Sequence, residues 1–465
     1  MEKADWVTEE LATLKLKDKR LEKRAEEIVR QMAKNPSGSI PEFSKNKYGA
    51  KATYRFLENE KSDVEQLIES QRKATLKRMG GEKRVLCMHD TSDVELSHYP
   101  SIKGQGSLPR GRGKRSGFLM HNTMAVSEEG VPLGLLAQQT WTRPVEKETK
   151  EANRLRPIEE KESYKWLQAL IDSTKSGVPA ACSLLFVSDR ECDVIDYFVH
   201  ERAENVDILV RAAQNRKLVG CDQLLFERLA SLPASGEFTV TVGRRGQMPA
   251  RIATCQLRFA PVTINPPNGN RQGRVKKLAP VTMTALMVSE LNPPAGVSSL
   301  GWVLLTSVFV ASFVQAQQIV RFYALRWLVE RFHFVLKSGC SIEKRRLESV
   351  EAMQRMLALS NIVAWRLLWL TYLARINPSL PCTVALSDPE WKTLYTVSLQ
   401  SSLLPLSPPS LHQAVLWIAQ LGGFLARAGD GHPGVKVLWR GWSKLQDQVE
   451  LWLLFHPPIL HSTCG

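Results

Sequence analysis

Apolar positions along the chain change their period several times, and each change marks a different kind of element. Residues 1–75 carry helical spacing: Asp18 stands ahead of KRLEKRAEEIVRQMAK, a run of good helix formers, and Asn35, Pro36, Ser37 and Gly38 end it. The next stretch, SIPEFSKNKYGAKATYRFLENEKSD, interleaves Lys45, Lys47, Lys51 and Arg55 with Phe43, Tyr48, Tyr54 and Phe56. From residue 84 the period shortens. RVLCMHD is an apolar run ending in a carboxylate, and GFLMHNTMAVS and VPLGLLAQQTW follow as strand-like runs separated by Glu128, Glu129 and Gly130. That spacing predicts consecutive antiparallel strands. Between the first two runs, SIKGQGSLPRGRGKRS carries Lys103, Arg110, Arg112, Lys114 and Arg115 without an acid, which predicts an exposed basic loop. A charged stretch over 145–162 leads into a helix in SYKWLQALIDSTK. Then come a second buried strand ending in a carboxylate, ACSLLFVSD, a helix in DVIDYFVHERAE and a strand in DILVRAAQ.

Residues 222–308 differ again. GEFTVTVG, MPARIATCQLRF, PVTMTALMVSEL and GWVLLTSV are alternating, β-rich runs joined by Pro/Gly loops such as NPPNGNRQGRVKK. A helical pattern resumes near Ala311 and runs past Lys337, and a second long helix spans about Ser349 to Arg375. The remainder holds Pro/Ser-rich linkers and two further amphipathic helices. Three antiparallel strands, helix, strand, helix, strand, then a β-rich segment and a helix predict an α/β ribonuclease H-like catalytic core interrupted by a β-rich insertion, flanked by helical N-terminal and C-terminal domains. The expected boundaries are 1–75, 76–375 with the insertion at about 222–308, and 376–465.

Charge narrows the partners. The chain has 62 Lys+Arg against 47 Asp+Glu, a formal net charge of +15 that draws polyanions, of which nucleic acid is the commonest. Charge alone also suits a protein that is merely kept soluble. The eight cysteines form no CxxC pair and lack the density of a disulfide-stapled domain, so a zinc ribbon and a secreted scaffold are both disfavoured. The charged N-terminus has no apolar signal core, and the most apolar span, Ala358 to Ala374, is broken by Arg366. The expectation is a protein of the reducing cytoplasm without a membrane helix. Basic and aromatic residues interleaved at 43–56 suit phosphate contacts and groove packing, although a solvated basic face over an aromatic core fits equally.

Three acids stand out. Asp90 in CMHDTSD and Asp189 in FVSDRECD each close an apolar run, and an acid at a strand end faces the rim of an α/β sheet. On neighbouring strands the two would offer hard oxygen ligands suited to magnesium or manganese. Each Asp could equally cap the following turn, and Asp93 and Asp193 compete for the same roles. In YALRWLVERFHFVLK, Tyr323, Arg326, Glu330 and Lys337 fall at roughly 0°, 300°, 340° and 320° on a helix of about 100° per residue, one polar stripe. Such a stripe sets an acid among phosphate-binding donors. An ordinary Arg326–Glu330 ion pair at i,i+4 is the plain alternative. Together the three acids would permit two-metal phosphoryl transfer, which needs no general-base histidine.

The spacing Tyr-x2-Arg-x3-Glu-x6-Lys, carried by Tyr323, Arg326, Glu330 and Lys337, resembles the signature of the insertion-sequence-four family of DDE transposases. The resemblance is strongest to the Tn-five type and covers most of the chain, through AKATYRFLEN, WTRP, EKESYKWL, DILVRA, NPPAGVSSLGWVLLTS, LGGF and LWRGW. It implies Asp90, Asp189 and Glu330 as a catalytic, metal-binding triad with two Mg²⁺ or Mn²⁺ ions, and it separates Asp90 and Asp189 from their competitors. It further implies a helical N-terminal domain that reads double-stranded transposon ends and a C-terminal region that pairs two protomers. The enzyme would nick DNA, close and reopen a hairpin on the transposon end, and join that end to target DNA. Trp302 in LGWVLL matches the residue that stacks on a flipped base, although its apolar neighbours also suit a buried strand. Tyr323, Arg326, Lys337 and Arg211 would hold phosphate, with Arg143 at a further basic family position. Lys19, Arg20, Arg24, Arg30, Lys45, Lys47, Tyr54 and Arg55 are the end-recognition candidates, by charge and position. The competing readings are a nuclease on the same core without strand transfer, and a catalytically silent DNA-binding descendant.

Overall fold

The computed structural model describes residues 5–44, 46–109, 115–144, 149, 156–175, 177–243, 250–267 and 278–456. Lys45 and Arg110, Arg112 and Lys114 of the expected basic loop lie outside the described residues. Among the described residues twelve strands form one mixed sheet: β1 (Arg84–Glu95), β2 (Gly106–Ser107), β3 (Ser116–Ser127), β4 (Pro132–Trp141), β5 (Ser183–Ser188) and β6 (Val206–Arg211) come first. They are followed by β7 (Lys217–Leu218), β8 (Cys221–Leu224), β9 (Gly236–Val242), β10 (Arg251–Ile264), β11 (Val281–Glu290) and β12 (Gly301–Thr306). β1, β3 and β4 pair antiparallel, as their spacing predicts, and β5 and β6 then run parallel to β1 in the order β4-β3-β1-β5-β6. The helix Tyr164–Ser173 connects β4 to β5, and Ile195–Val199 connects β5 to β6.

The unbroken apolar runs of β1, β5 and β6 follow from burial on both faces. Successive side chains point to opposite sides, so Leu86, Met88, Leu185, Val187 and Leu209 enter one core and Val85, Cys87, Leu184, Phe186, Ile208 and Val210 the other. Trp166, Leu170, Tyr197 and Phe198 cover the second face. The first face carries the Val350–Ile376 helix, whose 27 residues are long and apolar enough to cross a membrane by composition. Here 78% of its most apolar window is buried in protein. The same core takes in Ile28, Met32, Phe56 and Leu67 near the N-terminus and Leu411, Trp417, Leu438 and Leu445 near the C-terminus. Arg345 donates to the carbonyls of Pro36 and Gly38, Arg355 to those of Leu57 and Ser62, and Gln71 to that of Ala358. The N-terminal helices are thereby docked on the catalytic half.

The strands of 222–308 continue the core sheet: β12 pairs antiparallel with β6 through Leu304↔Arg211, and β11, β10 and β9 follow it. Exposed edge groups of β6 would otherwise lack partners. The stripe Tyr323–Lys337 is not one regular helix. Phe313–Ala324 ends in a tight turn where Leu325, Arg326 and Leu328 donate to residues three back, Trp327–Phe334 resumes, and Val335–Gly339 is a π-turn. The helix geometry changes across this tight turn, so a single 100° step does not run from Tyr323 to Glu330.

Glycine governs the C-terminal pair Leu411–Leu421 and Val435–Phe455. A β-carbon on Gly441 would lie 1.7 Å from the Ile418 carbonyl oxygen, and one on Gly422 would lie 1.9 Å from that of Val437. These are the glycines of LGGF and LWRGW, and they let the two backbones touch. Gly441→Ala is expected to cost about 1–3 kcal/mol, read as a lower denaturation midpoint; an unchanged midpoint would show that the helices can part freely.

Candidate active site

Parallel pairing of β1 with β5 ends at Met88↔Val187, and Asp90 and Asp189 both follow that last pair. They therefore emerge at one end of adjacent strands. Asp90 does not terminate its strand, contrary to the sequence expectation: β1 continues to Glu95, its backbone satisfied by β3, with Asp90 opposite Asn122. Asp189 does follow the end of β5, and its Oδ1 accepts from the Glu191 N–H at 2.9 Å. It thus also caps the short turn Arg190–Cys192. Asp90 accepts from the Thr91 N–H at 2.8 Å.

The electrostatics join these acids. Burial pushes the Asp90 carboxyl up to about 7, with the charges of Asp189 and Glu330 adding to it and Arg326 and the Thr91 N–H opposing. Asp189 is also raised, first by burial, against the Glu191 N–H and the Arg326 charge. Arg326 stands between: its Nη2 is 2.5 Å from Glu330 Oε1 and its Nη1 3.8 Å from Asp90 Oδ2. Burial works against its charge, but Tyr323, Glu330 and Asp90 hold it protonated beyond the usual range. The i,i+4 pair of the plain alternative is therefore present, and the same guanidinium reaches the strand acids. Glu330 keeps 53% of its side chain exposed. Among the described residues no three His, Cys, Asp or Glu side chains converge closely enough to enclose a metal ion. Asp90 and Asp189 nonetheless fit a hard cation by donor chemistry, since two half-buried carboxylates share one rim, both are raised by burial, and the Asp189 charge raises Asp90 further. Beneath them His89 and His121 pack edge-on against Trp166, His89 bonded to Ser188 Oγ at 2.5 Å and His121 to Thr91 Oγ1 at 2.8 Å. Burial lowers both, His89 to about 3, which favours the neutral imidazole in each.

The competing acids are occupied elsewhere. Asp193 is buried, accepts from the N–H groups of Ala213 and Gln214 at 2.7 Å, and pairs with Arg216 at 2.5 Å. Asp93 pairs with Lys337 at 2.6 Å and Arg115 at 2.8 Å; burial raises its carboxyl, but these partners outweigh it and leave it low.

The remaining sequence candidates divide. Tyr323 is 5% exposed, its ring edge-on to Trp302 at 5.3 Å, so it supports Trp302 and does not face solvent. Trp302 is half-buried and lines an open pocket of about 430 Å³ with Arg190, Arg211, Phe226 and Met287. Arg211 donates to the Gly301 carbonyl at 3.0 Å. Arg190 escaped sequence reasoning, although its place next to Asp189 in SDRECD was a signal. Lys337 is tied to Asp93 and Glu343, and Arg143 is gripped at 2.5 Å by Glu162. At the N-terminus Arg30 bonds Asp5, Thr8 Oγ1 and Glu26, a structural tie between helices, and Arg24 pairs with Glu27 at 2.5 Å. Lys19 is exposed, and Arg20, also exposed, pairs with Asp18 at 3.3 Å. In the helix Lys47–Glu58, Lys47, Tyr48, Lys51, Tyr54 and Arg55 are exposed above buried Thr53, Phe56 and Leu57. Tyr48, at 71%, is the most exposed of its aromatic residues, which its alternation with Lys47 and Lys51 could have indicated.

Three family models match successive parts of the chain. Transposase DNA-binding matches residues 3–62, transposase DDE domain 136–366, and transposase Tn5 dimerisation domain 362–451. Asp189 and Glu330 fall within the second match; Asp90 precedes it and joins them through the pairing of β1 with β5. Among solved structures, a piggyBac transposase synaptic complex with hairpin DNA is similar at 9% identity over 78% of this chain and 70% of that one. The TM-score of that match is 0.36.

Proposed function

Because the chain belongs to the DDE transposases of the Tn5 type, we propose that it binds the two ends of its own element, cuts them through a hairpin intermediate and joins them to target DNA. The observation that carries this reading is the shared rim of Asp90 and Asp189 with Arg326 linking them to Glu330. DDE transposase domains use divalent metal ions, and Asp90, Asp189 and Glu330 would hold two Mg²⁺ or Mn²⁺ ions here. Such ions, when bound, activate an attacking oxygen and stabilise the departing one in an in-line displacement. The chain's own side chains do the rest. Arg326, with Lys337 once released, places positive charge beside the phosphate. The exposed face of Lys47, Tyr48, Lys51, Tyr54 and Arg55 meets the duplex outside the site, and the C-terminal segment pairs two protomers.

Trp302, braced by Tyr323, offers a ring face in the pocket to a base turned out of the hairpin, and Arg190 and Arg211 flank it. Base–aromatic stacking is worth about 1–3 kcal/mol. Trp302→Ala is therefore expected to slow hairpin closure roughly tenfold or more, while the first nick keeps its rate. Duplexes carrying the terminal repeats that flank the gene, incubated with Mg²⁺ and resolved on denaturing gels, would separate the two steps. Equal slowing of both, or of neither, would remove the stacking role.

A further inference from the structure

Lys337 is enclosed by carboxylates. Its Nζ lies 2.6 Å from Asp93 Oδ1 and 3.4 Å from Glu343 Oε1. The other Asp93 oxygen accepts from Arg115 Nη2 at 2.8 Å, and the same nitrogen donates to Glu95 Oε2 at 2.6 Å. Glu343 Oε1 closes the ring by accepting the Glu95 backbone N–H at 3.1 Å. Three acids thus surround two cations, and all five side chains are partly withdrawn from water. The ring ties β1 and the start of β3 to the π-turn that carries Lys337. A phosphate oxygen within reach of Nζ would stand beside the Asp93 carboxylate at like charge.

We propose that Asp93 and Glu343 form a counter-ion lock that withholds Lys337 from DNA until the phosphate of a correctly held strand end displaces them. This rests on the phosphate-binding role of Lys337 proposed above. Under the lock, binding exchanges one anionic partner of the lysine for another. DNA touching only this rim gains little from the exchange, whereas an end also held by the N-terminal face and the Trp302 pocket gains elsewhere and keeps Lys337 engaged. The lock therefore serves specificity: it removes a non-specific phosphate contact without removing the lysine.

Binding of a fluorescent duplex carrying the element's own terminal repeat, in EDTA across a KCl series, tests this with the full chain. Asp93→Asn is expected to bind roughly two- to fivefold tighter, the range of a partly exposed ion pair. Its salt dependence steepens by up to about one ion, because no cation is taken up by a vacated carboxylate. Glu343→Gln shifts affinity the same way by less, and it carries the test if Asp93→Asn folds poorly. Lys337→Met weakens binding, and adding Asp93→Asn to it restores nothing. If Asp93→Asn or Glu343→Gln weakened binding as Lys337→Met does, the carboxylates would be aiming the lysine and the lock would be overturned. If Lys337→Met bound as wild type, the phosphate role of Lys337 itself would fall, which is a separate failure.

Discussion

Glu330→Gln is expected to abolish metal-dependent cleavage of transposon ends, by about 10³-fold or more, while leaving the fold and end binding intact. The magnitude follows from losing one of three anionic ligands, since metal assistance contributes several kcal/mol to phosphoryl transfer. The separation from stability follows from exposure. Glu330 keeps 53% of its side chain in solvent, and Arg326, at the N-cap of its helix, keeps Asp90 as a second carboxylate neighbour when the i,i+4 pair is lost. A pair with one partner half in solvent stabilises by at most about 1 kcal/mol, too little to unfold the chain. End binding should hold or tighten slightly, because one negative charge leaves the rim and Arg326 loses its nearest carboxylate. Cleavage assays beside denaturation curves decide between the readings: undiminished cleavage would reduce Glu330 to the ion pair and leave the site with two acids.

Asp90→Asn is expected to stabilise the ion-free protein at pH 8, with the gain fading as pH falls. The folded carboxyl titrates near 7 against an ordinary 3.8, raised first by burial and then by the Asp189 charge. The folded state therefore binds this proton more tightly than the unfolded chain, so stability falls as pH climbs from about 4 to about 7. Above that range the whole penalty is present; below about pH 4 none of it is. With Asp90 18% exposed, the penalty is on the order of 2–4 kcal/mol. Asparagine keeps the shape and cannot ionise, so it removes the penalty. Urea unfolding at pH 8 and pH 4 reads the difference. Mg²⁺ should raise the midpoint of wild type at pH 8, since it binds only the folded rim, and do so far less for Asp90→Asn. Equal midpoints for the two proteins at pH 8 would mean that Asp90 is not under this electrostatic load.

Both expectations rest on residues that were legible before any coordinates, but to different degrees. The strands β1, β3, β4, β5 and β6 could be read as elements because each announces itself locally, as an apolar run bounded by turn residues, whereas their order in the sheet could not. The long apolar helix Val350–Ile376 could be read as a core element because Arg366 interrupts it. Asp90, Asp189 and Glu330 could be named through the likeness of their surroundings to a known signature. Chain chemistry alone left Asp93 and Asp193 as equals.

The tertiary structure adds a physical distinction among the four aspartates, which is who stands next to each. Asp193 meets Arg216 and two backbone N–H groups, and Asp93 meets Lys337 and Arg115, partners 20 or more residues away along the chain. The turn at Leu325 and Arg326, which breaks the ideal stripe and sends Tyr323 under Trp302, likewise lies beyond periodicity. So does the way β12 attaches the segment 222–308 to β6. Local spacing and apolar pattern thus determined which elements exist and which residue types could do chemistry. Long-range pairing of charge and sheet edges, which no local period encodes, decided that Asp90 and Asp189 stand together on an open rim while Asp93 and Lys337 hold each other.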